Sequence, residues 1–107
     1  MAMLNSVKLA VRRTDTNAFD GDLTRLINAC LQDLTIAGIT NATAESPDPL
    51  IIQAVCTYCK ANFGETDEYE HLKASYDEQK AALQMSSNYT NYSSYGIMSA
   101  LDRLGGG

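Results

Sequence analysis

Cys56-Thr57-Tyr58-Cys59 is a CxxC, and together with Cys30 and the single histidine, His71, it holds every thiol and imidazole of the 107-residue chain. Two chemistries suit those types: thiol–disulfide exchange, and a zinc site of three thiolates and one imidazole. Both depend on position. A redox CxxC sits at a helix N-terminus, where the dipole lowers the thiol pKa. This one falls in the latter half of an apolar helix, where the dipole acts the other way. A zinc site needs Cys30 and His71 to converge on the pair, and there is no second CxxC. Core packing is the plainer account, since free Cys behaves as a small buried hydrophobe. His71 lies among Glu70, Lys73 and Ser75, with no nucleophile or acid spaced to serve it, and reads as a solvated side chain. No catalytic residue, metal ligand set or cofactor is expected.

The acidic run Glu65, Asp67, Glu68 and Glu70 has carboxylates in number but lacks the glycine and spaced oxygens of a calcium loop. It compensates the start of a helix. With Asp77 and Glu78 it makes a surface of one sign, suited to a channel lining or a subunit interface. Residues 45–80 hold eight acids and three bases, which accounts for the whole net charge of −5. A basic stripe, the mark of a nucleic-acid binder, is missing.

Tyr89, Tyr92 and Tyr95 recur every three residues in a Ser/Asn-rich stretch, followed by Ile97 and Leu101. Tyr gives large contact area at low entropic cost. The segment is either a disordered tail or a docking extension that orders on a partner.

The elements that must carry these residues are helical. Leu4, Val7, Ala10 and Val11 fit a short amphipathic helix over 3–12. Leu23, Leu26, Ile27, Cys30, Leu31 and Leu34 give a broad apolar stripe over 20–37. Asp20 is its expected N-cap, Phe19 its staple, and Gly38-Ile39 a Schellman stop. Residues 40–47 are a polar loop. Asp48 and Pro49 open a third helix whose apolar set is Leu50, Ile51, Ala54, Val55, Tyr58, Cys59 and Ala61, closed at Phe63-Gly64. Thr66 is the expected cap of a fourth, with Tyr69, Leu72, Tyr76 and Leu83 along one seam and Gln79 in the missing step. The architecture is all-α: a bundle of three main helices with a short N-terminal one, over residues 1–87, and a C-terminal tail over 88–107 that is mobile until docked.

The N-terminal residues are too charged for a signal peptide, and no run approaches the roughly 20 apolar residues of a membrane span. Three cysteines, an odd count, suit a cytosolic protein with free thiols.

The chain resembles the small head–tail connector (adaptor, DNA-packaging) proteins of long-tailed phages and prophages. The resemblance rests on Leu31 to Ile39, Asp48 to Gly64 and Asp67 to Leu83, with a looser match at residues 7–13, and covers residues 4–85. Phe63-Gly64 and Ser75-Tyr76-Asp77 are its most specific pieces in combination. It implies a virion protein assembled in the host cytoplasm. It also implies a ring, a dodecamer, beneath the portal of the filled capsid. That ring extends the DNA channel, lets DNA pass without specific binding, and presents a platform for stopper and tail-completion proteins. The C-terminal extension would dock on the portal. Two other functions stay open: a small acidic helical regulator with a basic partner, and a thiol- or zinc-dependent enzyme using Cys30, Cys56, Cys59 and His71.

Overall fold

The computed structural model describes residues 2–64, 66–86 and 89–90. Its helices are α1 Ala2–Ala10, α2 Asp20–Ile36, α3 Pro49–Asn62 and α4 Tyr69–Met85. No strand occurs among the described residues. Ile39 and Thr90 form a single antiparallel bridge. The expected all-α architecture is therefore present, a short first helix with three longer ones.

α3 is the centre. It packs on α1, α2 and α4, and α1 also packs on α2. The reason lies in its circumference: Ile51, Ala54, Val55, Cys59 and Ala61 are all buried. All of these but Ala61 meet Met3 and Val7 of α1, Leu23, Ile27, Cys30, Leu31 and Leu34 of α2, and Tyr76 and Leu83 of α4 in one core. Leu50, expected in the apolar set, is half exposed at 50%. One residue from Ile51, it is turned about 100° round the helix, beyond the core-facing stripe.

The helix ends show which local signals won. Asp48 caps α3 as expected, its Oδ1 accepting from the amides of Leu50 at 2.8 Å and Ile51 at 3.4 Å. α2 ends in a Schellman motif: the Ile39 amide donates to the Leu34 carbonyl, the Gly38 amide to the Thr35 carbonyl, both at 3.0 Å. Gly38 takes φ 91 to allow it, and Ile39 is buried. The start of α2 differs from expectation. Phe19 occupies the cap position, no side chain caps the helix, and Asp20 is its first residue. The Asp20 carboxylate is engaged elsewhere, 2.9 Å from the Lys8 ammonium. Phe19 finds a partner outside its own helix. It stacks edge-on against Phe63 at the end of α3, with ring centroids 5.3 Å apart.

The α3–α4 turn carries the second difference. Gly64 takes φ 69, in the left-handed region. Thr66 Oγ1 accepts from the Glu68 amide at 3.1 Å and so closes a turn of its own instead of capping the helix. α4 then begins at Tyr69, which leaves Asp67 and Glu68 ahead of it and only Glu70 in its first turn. Leu72, Tyr76 and Leu83 form the buried seam, while Tyr69 is 40% exposed.

After α4 the chain turns back. The Thr40 amide donates to the Tyr89 carbonyl at 2.6 Å, Tyr89 packs on the core, and Thr90 is buried. Tyr89 and Thr90 thus pack against the helices.

Candidate functional site

The thiols are built into the interior. Cys30 and Cys59 are buried and Cys56 is half-buried. Desolvation pushes Cys30 and Cys59 up to about 12, and raises Cys56 as well. A thiol so placed stays protonated and is a poor nucleophile or ligand. His71 is exposed on α4. Among the described residues, no three His, Cys, Asp or Glu side chains are grouped to hold a metal ion.

Polar chemistry gathers instead between α2 and α4. Tyr76 Oη donates to Asp33 Oδ2 at 2.6 Å, and Lys80 Nζ donates to the same oxygen at 3.1 Å. Cys30 Sγ lies 3.6 Å from Tyr76 Oη, and Gln84 Nε2 donates to the Ala37 carbonyl at 3.2 Å. The pairs Cys30–Tyr76, Asp33–Lys80 and Ala37–Gln84 have sequence separations of 46, 47 and 47 residues. That constant offset means α2 and α4 run parallel, held by long side chains across a groove.

The groove has a volume of about 330 Å³, and its lining includes Asp33, Tyr58, Tyr69, Tyr76, Asp77 and Lys80. Tyr58 and Tyr76 meet edge-to-face at 5.2 Å, and the Lys80 ammonium lies 5.5 Å from the Tyr76 ring centre. Burial and then the Asp33 contact raise the Tyr76 pKa. For Asp33, burial acts upward, but the hydrogen bonds from Tyr76 and Lys80 and the Lys80 charge outweigh it and lower its pKa. The arrangement locks two helices together.

The acidic residues lie on α4 and in the turn before it. Glu70 and Glu78 are exposed on α4, on the side away from Leu72, Tyr76 and Leu83. Asp77 is exposed beside them and pairs with Lys73 at 3.1 Å. Asp67 and Glu68 are exposed in the preceding turn. Glu65 lies outside the described residues.

A family model described as phage connector protein matches residues 3–90. The chain belongs to the phage connector family. No curated protein and no solved structure matches it. A connector is a structural component of the virion and associates with other virion proteins, which suits a site made of surfaces. No described helix is long and apolar enough to cross a membrane.

Of the expected docking residues, the connector's Tyr89 stands against the core, next to a small groove shared with Leu50, Gln53, Gln79, Ala82, Leu83 and Ser86. Tyr92, Tyr95, Ile97 and Leu101 lie outside the described residues. The Asp33–Tyr76–Lys80 cluster escaped sequence reasoning. Its signal was Tyr76 itself, the one side chain with a hydroxyl at a buried seam position, which needed a partner.

Proposed function

We propose that this connector assembles as a ring, a dodecamer, beneath the portal of the filled capsid. There it extends the DNA channel and joins capsid to tail once DNA has been packaged. Family membership supports the setting. The observation that carries the rest is the outer face of α4, where Glu70, Asp77 and Glu78 stand exposed on a helix braced against both α3 and α2. A conduit must let DNA slide, and a chain of net charge −5 does not hold phosphate as a Lys- and Arg-rich one does. Identical subunits close a ring through two different surfaces each, and the outer face of α4 supplies one of them. Residues 91–107, with Tyr92, Tyr95, Ile97 and Leu101, provide the portal-docking segment, anchored at Tyr89. The stopper or tail-completion protein binds the opposite end of the ring.

Complementation tests this. Capsids filled in the absence of the protein are expected to lose DNA and to fail to join tails. Purified protein added back restores both. Stable, tailed particles made without it contradict the proposal.

A further inference from the structure

The described basic side chains fall into two groups. Lys8, Arg25, Lys73 and Lys80 each have a carboxylate partner, Asp20, Asp22, Asp77 and Asp33, at 2.9, 3.6, 3.1 and 3.1 Å. Arg12, Arg13 and Lys60 have none among the described residues, and all three line one cavity of about 220 Å³ where α1 and α3 end and α4 begins. Among the described residues, Glu68 is the only acid in its lining and forms no ion pair. The corner is built, not frayed. The Arg13 guanidinium lies 5.6 Å from the Phe19 ring centre and 5.9 Å from that of Phe63. Its Nη1 also donates to the Arg12 carbonyl at 3.2 Å. Arg12 holds φ 61, a conformation L-residues rarely adopt.

The complementary charge lies on α4. Glu70 and Glu78 are exposed and in no ion pair among the described residues, with the small exposed Ala74 and Ala81 along the same outward stripe. We infer that the Arg12–Arg13–Lys60 corner is the socket for Glu70 and Glu78 of the next copy in the ring. This rests on the ring proposed above and names its contact. Each copy offers both halves, as a head-to-tail ring requires. Ala74 between the two carboxylates and Ala81 just beyond Glu78 let the helix approach closely. DNA is the weaker occupant: three cations in one corner are not a stripe, and a net charge of −5 repels the phosphate backbone.

Charge swapping tests it, with full-length protein added to portal-bearing capsids lacking the connector and bound copies per vertex measured. Arg12 and Lys60 side chains make no contact that the fold uses, so the R12E/K60E pair is preferred over changes at Arg13. R12E/K60E and E70K/E78K are each expected to weaken assembly by at least roughly tenfold, and the four changes together to restore it. Thermal melts confirm that each variant is folded. Wild-type assembly with unaffected variants, or with no rescue by the fourfold change, overturns the socket and leaves the ring standing. So does a loss of DNA retention by R12E/K60E with assembly intact. Wild-type protein that never binds as more than one copy overturns both.

Discussion

The hydroxyl of Tyr76 sits 2.6 Å from Asp33 Oδ2, a hydrogen bond across 43 residues of sequence that ties α4 to α2. Lys80 reaches the same carboxylate oxygen from the next turn of α4. α4 thereby has two supports, apolar contact with α3 and a polar clasp on α2. The helix that carries Glu70, Asp77 and Glu78 on its outer side is fixed in position by both.

Removing the clasp has a definite cost. Tyr76→Phe keeps the ring and its packing on Tyr58 but deletes the donor to Asp33. Loss of about 1–2 kcal/mol is expected by chemical denaturation. Asp33→Asn, which keeps the shape but not the charge, should lose the Lys80 pairing as well. A Tyr76→Phe variant as stable as wild type contradicts the role given to this bond.

The same cluster sets a pH dependence. Asp33 titrates below its ordinary value of 3.8 in the folded protein. The folded state therefore binds its proton less readily than the unfolded chain does. The stabilisation is fully present above that ordinary value and is lost as pH falls through the lower folded value. Acid unfolding of wild type should steepen in this window relative to Asp33→Asn. Parallel curves exclude the contribution.

Thiol reactivity separates the cysteines. Desolvation holds Cys30 and Cys59 at about 12, so both remain thiols at pH 8. Alkylation of the native protein followed by mass spectrometry should label Cys56 first. Cys30 and Cys59 should react only as fast as the protein unfolds. Rapid native labelling of Cys59 would show that the CxxC is open to chemistry.

Gly64 is a conformational requirement rather than a packing one. It holds φ 69, and nothing lies within 4 Å of the Cβ that a larger residue would add. Gly64→Ala should cost about 1–2 kcal/mol from backbone strain alone. Gly64→Asn, which tolerates the left-handed region, should recover part of it. Equal stability of all three would mean that the turn relaxes freely.

Much of the fold was legible because local signals agreed with tertiary ones. The stripe Leu23, Ile27, Cys30, Leu31 and Leu34, the Asp48-Pro49 start and the Gly38-Ile39 stop were each readable from spacing and side-chain type. Sequence reasoning failed where a residue's partner lay far along the chain. Asp20 looked like a cap, but Lys8 took its carboxylate. Phe19 looked like a staple, but Phe63 offered an aromatic edge. Thr66 looked like a cap, but closed its own turn and delayed α4 to Tyr69. The surfaces were harder still. Asp33 and Lys80 carry no local sign of each other, and only the parallel register of α2 and α4 brings them together. Arg12, Arg13 and Lys60, scattered across 48 residues of sequence, meet only because α1 and α3 end at one corner.

The most direct measurement of the central claim is electron cryomicroscopy of the capsid vertex with the protein bound. The account predicts a closed ring beneath the portal, sharing its symmetry, with α4 of each copy against the corner of Arg12, Arg13 and Lys60 on the next. A single copy per vertex, or a ring located anywhere other than the portal, contradicts it.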